Sequence, residues 1–288
     1  MPSAAGAVTG IKVVTLPGAG GPPAGSISLF DAASGDLRGV LNAEELTAFR
    51  TALASMLVFT ERELEPTDAA GLVMFGAGKQ AEWHLRLALL LGPRRGSIAT
   101  VTVVNRSPAS LAAFDAAVLA PLRREYPAVQ FHALARDGND AYDAQLQTAV
   151  ADAAAIFCCT PSTSPLFPHR YLSATRTNRY ISLIGSYKPH MQEVDSQTCL
   201  AGDLLAVDSR SACLKEAGEL IQAGVSPDAV TEIGEVMASL AQDEALQNIL
   251  RRGSVVFKCV GLGIMDVVAG DQLLQLAEQK SVGVATSF

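Results

Sequence analysis

The chain has 288 residues, which at roughly 150 per domain points to about two domains and not to one small module. Its 22 Lys and Arg against 29 Asp and Glu leave a net charge of −7 with only 18% charged residues, a balance that argues against nucleic acid as a partner. An apolar share of 49% supplies a core and excludes a disordered chain, while apolar runs such as Leu87–Leu91 fall far short of the roughly 20 residues that cross a bilayer, so no membrane partner is expected.

Met1–Gly10 has no basic region followed by an apolar one, so no secretory leader is read and a cytoplasmic enzyme is expected. Strands are predicted at Ile11–Leu16 and Ser26–Phe30, with a Gly/Pro-rich loop from Pro17 to Gly25 between them. Asn42, with Glu45 three residues on, has the form of an N-cap and capping-box pair, and Leu46, Phe49, Leu53 and Leu57 follow at helical spacing to about Phe59.

From Gly71 short apolar strands alternate with helical segments, the pattern of parallel βαβ units in a doubly wound sheet. The strands expected are Leu72–Phe75, Ile98–Val104, Val129–Ala133, Ala153–Cys159, Tyr180–Ile184, Leu204–Val207 and Val255–Val260. Between them, Pro121 is expected to kink or end an Ala-rich helix over Ser107–Arg124. A last helix, Ile264–Gln279, is expected to pack back on the N-terminal part and make the first domain discontinuous.

The sharpest chemical signal is a strand running directly into Gly76-Ala77-Gly78-Lys79-Gln80-Ala81, a Gly-x-Gly-x-x-Ala turn that opens a helix. Gly76 permits the tight turn, Gly78 lets the backbone approach a pyrophosphate, Ala81 allows close packing, and the helix start offers amides and a positive dipole end. A nucleoside-triphosphate loop is rejected, because Val73 stands where its first glycine is needed and Gln80 replaces its hydroxyl.

At the end of the next strand, Asn105-Arg106-Ser107 carries no acid for ribose hydroxyls. Arg106 and Ser107 suit the 2′-phosphate of NADP instead, so NADP(H) is the preferred cofactor and NAD(H) the alternative. Cys159-Thr160-Pro161-Ser162 follows a buried strand at the expected carboxyl edge and is assigned to the nicotinamide side. Cys159 reads as a packing thiol, and the five cysteines, an odd number, read as reduced core residues. The four histidines show no ligand spacing, so no metal is expected; no tyrosine stands four residues before a lysine, which excludes the short-chain dehydrogenase arrangement.

Together Gly76-x-Gly78-Lys-Gln-Ala81-x-x-His84, Asn-Arg-Ser, Ile184-Gly185-Ser186-Tyr187-Lys-Pro189-x-Met-Gln-Glu193-Val-Asp195 and Val256-Phe257-Lys258-Cys-Val-Gly261 before Asp266 resemble the ornithine cyclodeaminase and mu-crystallin family over nearly the whole chain. The resemblance implies an α/β fold: a Rossmann-type doubly wound parallel sheet over residues 61–262, and a smaller discontinuous α+β substrate and dimerisation domain over residues 1–60 and 263–288. It also implies a homodimer, NAD(P)(H) held in part by Gly185, and an imino- or amino-acid substrate whose carboxylate meets Lys12 and Arg50. Where cyclodeaminases carry an aspartate this chain has Tyr187, which favours a ketimine reductase or amino-acid dehydrogenase and leaves Tyr187 as a candidate proton donor. Family members also have a segment before the Lys12 strand with another substrate-binding arginine, so the substrate half-site is expected to be open, altered or non-functional. A binding protein without turnover and an ornithine cyclodeaminase-like lyase remain the alternatives.

Overall fold

The computed structural model describes residues 2–15, 18, 24–64, 70–93, 98–172 and 178–285. Leu16 and most of the loop expected from Pro17 to Gly25 lie outside them. The chain divides into two compact units, residues 1–51 with 261–288 and residues 52–260. The first border falls inside a helix and not at its end near residue 60.

In the smaller unit, β1 (Pro2–Ala5), β2 (Val8–Thr15), β3 (Ala24–Asp31) and β4 (Leu37–Asn42) form an antiparallel sheet in chain order. β1 and β4 were not expected, because Pro-Ser-Ala-Ala and Leu-Arg-Gly-Val-Leu-Asn lack a run of β-branched residues; pairing with stronger neighbours recruits them. Ile27 and Leu29 point inward from β3 and cluster with Val8, Ala43, Leu46 and Val267. Val267 belongs to the helix Gly263–Gln279, so the last helix does return to the N-terminal sheet. In β2 the usual alternation is inverted: Lys12 is buried while Ile11 and Val13 face out.

Asn42 Oδ1 accepts the Glu44 amide at 2.8 Å and starts the helix Ala43–Phe59 by satisfying one of its orphan donors.

The larger unit contains β5 (Ala70–Phe75), β6 (Ile98–Asn105), β7 (Gln130–Ala135), β8 (Ala153–Cys158), β9 (Tyr180–Leu183), β10 (Leu204–Val207), β11 (Thr231–Glu232) and β12 (Val255–Lys258). They form one parallel sheet in the order β11-β10-β12-β9-β8-β5-β6-β7. β7 lies a little later than expected, and β11, two residues long, leaves no periodic trace in the sequence. The chain leaves β5 toward β6 and returns on its other side at β8, so the strand order reverses there and opens a crevice beyond the carboxyl ends, where ligands of such sheets bind.

Pro121 does not end its helix. The path runs through Pro108–Phe114, a π-helical turn at Asp115–Leu119 and Ala120–Glu125, and the wider turn accommodates the ring and the missing donor.

Among the described residues no helix is long and apolar enough to cross a membrane.

Candidate functional site

Phe75, the last residue of β5, pairs with Val104 on one side and Cys158 on the other, which sets the glycine turn at the point of reversal. Gly76 has φ +113, and a Cβ there would stand 2.8 Å from the Cys159 carbonyl oxygen, so this position requires glycine. Gly78 precedes the helix Lys79–Leu91, whose start has no side-chain cap, and a Cβ at Gly78 would meet no atom within 4 Å. Open space lies before uncapped amides, which is what a pyrophosphate needs. Ala77 is half-buried, and Ala81 is fully buried beneath the turn. Lys79 reaches Glu82 at 3.4 Å on the surface; the buried Gln80 Oε1 has no hydrogen-bond partner among the described residues.

At the end of β6, Asn105 Nδ2 donates to the Ser107 carbonyl at 3.3 Å. Ser107 Oγ accepts the Ser110 amide at 3.3 Å and caps the next helix, which leaves its own hydrogen for a further acceptor. Arg106 is exposed, and its guanidinium makes no ion pair or hydrogen bond among the described residues.

Cys159 continues from β8, and its amide donates to the Phe75 carbonyl at 2.9 Å. Its sulfur lies 3.8 Å from His84 Nδ1, which carries the ring's hydrogen and so is no base toward the thiol. That nitrogen donates to the Gln80 carbonyl at 2.7 Å, Ser55 Oγ bonds Nε2 at 2.9 Å, and burial pushes His84 down to about 4, so the ring is neutral. Burial also pushes the Cys159 thiol far above its usual range, in keeping with a packing role. None of the five cysteines is in a disulfide, and only Cys159 is short of full burial.

Beyond Cys159 the backbone amide and the hydroxyl of Thr160 both donate to Glu193 Oε1, at 2.7 and 3.0 Å, and the Gly185 amide donates to Oε2 at 2.7 Å. Pro161 and Ser162 follow, and the Ser162 carbonyl accepts the Gln192 amide at 2.8 Å. The structure thus brings the assigned cofactor residues of the larger unit to one edge of one sheet.

In the smaller unit Lys12 and Arg50 converge on one carboxylate. Lys12 Nζ lies 3.0 Å from Asp266 Oδ1 and 2.7 Å from Thr47 Oγ1, and Arg50 Nε lies 3.1 Å from the same Oδ1. Lys12, Arg50 and Asp266 are 9%, 7% and 1% exposed. Burial, then the neighbouring Arg50, lowers the Lys12 pKa, with Asp266 opposing both. Among the described residues two buried cations thus share one carboxylate oxygen in a nearly dry site. Tyr187 belongs to the other unit; it is half exposed, with the Lys188 ammonium 5.6 Å from its ring centre.

A family model described as Ornithine cyclodeaminase/mu-crystallin family matches residues 1–281. The chain belongs to that family. The ketimine reductase mu-crystallin of Mus musculus is 27% identical over 85% of this chain and 66% of its own length. A Delta(1)-pyrroline-2-carboxylate/Delta(1)-piperideine-2-carboxylate reductase of Azospirillum brasilense is 29% identical over 93% of this chain and 77% of its own. The solved Delta(1)-pyrroline-2-carboxylate reductase of Thermococcus litoralis, in complex with NADH and L-proline, superposes with a TM-score of 0.74 at 20% identity, covering 97% of this chain and 81% of that one, and shares the fold.

Two site residues of this family member had been seen in the sequence without a role. Asp266 stands between Met265 and Val267 in the first turn of the last helix, where an acid between two apolar neighbours was the available signal, and Glu193 sits between Gln192 and Val194 in the run after Gly185.

Proposed function

We propose that the protein is an NADP(H)-dependent oxidoreductase that reduces a carboxylate-bearing imine, of the ketimine reductase or amino-acid dehydrogenase type. The observation that carries this reading is the buried convergence of Lys12 and Arg50 on Asp266, two cations in a nearly dry site of the kind that recognises a substrate carboxylate. The relatives named as ketimine and pyrroline carboxylate reductases support it.

The amides from Gly78 to Gln80 would hold the pyrophosphate, Arg106 and Ser107 the 2′-phosphate, and Cys159–Ser162 with Gly185 the nicotinamide side. When bound, the coenzyme supplies the hydride for the C=N carbon. Lys12 and Arg50 orient the imine through its carboxylate, and their burial strengthens that grip by excluding water. The nitrogen needs a proton as the carbon is reduced, and Tyr187 is the group assigned to give it. A second copy of the chain is proposed to cover the outer face of the small sheet, where Ile11, Val13 and Val40 are exposed.

The test follows NADPH absorbance with cyclic imino acids, with pyruvate plus amines, and with ornithine, for wild type, Lys12→Ala and Arg106→Ala. Consumption with an imino acid, abolished in Lys12→Ala, is expected. Arg106→Ala should weaken NADPH more than NADH by about 1.5–3 kcal/mol, the worth of a charged hydrogen bond. Tight NADPH binding without consumption would leave a binding protein, and ammonia release from ornithine a cyclodeaminase.

A further inference from the structure

Glu193, Glu219, Lys258 and Ser186 form a cluster in which every member is 0% exposed. Lys258 Nζ donates to the carbonyl and hydroxyl oxygens of Ser186, each at 2.6 Å, and lies 3.8 Å from Glu219 Oε2. The Ser186 hydroxyl donates to Glu219 Oε2, and Glu219 Oε1 accepts the Glu193 amide at 2.8 Å. Burying three ionisable groups costs several kcal/mol unless they are paired and bonded, so a fold that needed only packing would be better served by apolar residues.

What the cluster achieves is visible at its outer end. Glu193 uses both oxygens to tie the segment after β8, through Thr160, to the segment after β9, through Gly185. The two backbones are so close that a Cβ on Gly185 would stand 1.9 Å from the Thr160 oxygen. Both segments belong to the wall assigned above to the nicotinamide side.

We propose that Glu193 is the positioning residue of that wall: ionised, it clamps the two strand-end segments together, and its protonation loosens them and weakens coenzyme binding. The inference rests on the cofactor site proposed above. Each carboxylate oxygen accepts a backbone amide, Oε1 that of Thr160 and Oε2 that of Gly185, and since an amide can only donate, a proton on the carboxyl group weakens these bonds. The ionisable groups that face Glu193 are Lys258 from β12, Glu219 from the helix Gly218–Gln222, and Cys158 and Cys159 at the end of β8. Burial, with Glu219 adding to it and Lys258 and the two amides opposing, pushes Glu193 up to about 7. The clamp is therefore made above neutral pH and released below it.

The experiment titrates the full chain with NADPH from pH 8 to pH 6 by fluorescence, for wild type and Glu193→Gln. The 2′-phosphate itself titrates near pH 6, so the difference between the proteins is the readout. Wild-type affinity should fall below neutral pH with a slope of at most about tenfold per pH unit, the limit for one proton. Glu193→Gln should bind weakly throughout and lack that inflection. An identical pH profile in both proteins would overturn the clamp while leaving the cofactor site intact, whereas no NADPH binding by wild type at either pH would sink the site itself. Should Glu193→Gln not fold, Thr160→Val decides: removing a hydroxyl that stabilises the carboxylate should move the inflection to higher pH, and an unmoved inflection would refute the clamp.

Discussion

Asp266 shows how one side chain can determine the properties of a site. It holds Lys12 and Arg50 by a single oxygen, while its buried Oδ2 has no partner among the described residues. Replacing it by asparagine leaves two buried cations facing each other, and chemical denaturation should show a loss of about 3–5 kcal/mol, as for other buried pairs stripped of one partner. The pH dependence follows from the same contacts. Asp266 is the group that raises the Lys12 pKa against burial and Arg50. Its removal lets Lys12 lose its proton more readily, so the alkaline limb of activity in Asp266→Asn should lie at lower pH than in wild type. A limb that stays in place would take Lys12 out of carboxylate binding.

At the scale of the element, the turn between β5 and the helix Lys79–Leu91 separates two uses of glycine that the sequence motif treats alike. Gly76→Ala sets a Cβ against the Cys159 carbonyl oxygen at positive φ, and both stability and coenzyme binding should suffer. Gly78 has φ −115 and open space where a Cβ would go, so Gly78→Ala should cost about 1 kcal/mol or less in stability yet fill the room a phosphate needs. Melting curves paired with NADPH titrations distinguish the two; equal behaviour of both variants would count against a pyrophosphate at this turn. The π-helical turn before Pro121 is a second case in which local chemistry did not dictate the outcome, because a widened turn absorbed a residue that ordinarily stops a helix.

Across the whole molecule, the small sheet buries one face and exposes the other. Ile11 pairs with Ser28, which pairs with Val40, so these residues form a row across β2, β3 and β4 on its outer side. Ile11, Val13 and Val40 are 40%, 49% and 59% exposed, an apolar patch of the kind that another chain covers. Light scattering should find the wild type at twice the chain mass and Val40→Asp shifted toward the monomer. A monomeric wild type would refute the homodimer.

The parallel sheet, the glycine turn and the acid-free end of β6 could be read from residues alone, since each depends on a local rule: apolar runs bounded by breakers, a glycine where φ must be positive, a cation and hydroxyl in place of a carboxylate. Lys12, Arg50 and Glu193 also stood in the sequence as parts of a family pattern. Their partners did not follow from it. Lys12 meets Asp266 across 254 residues, and Glu193 joins segments that leave two different strands. Contacts of that range depend on which strands lie side by side and which residues a strand turns inward, and in β2 the inward residue is a lysine between two exposed aliphatics. Periodicity assigns such a residue to solvent; only the packed structure, where a buried carboxylate compensates its charge, puts it inside.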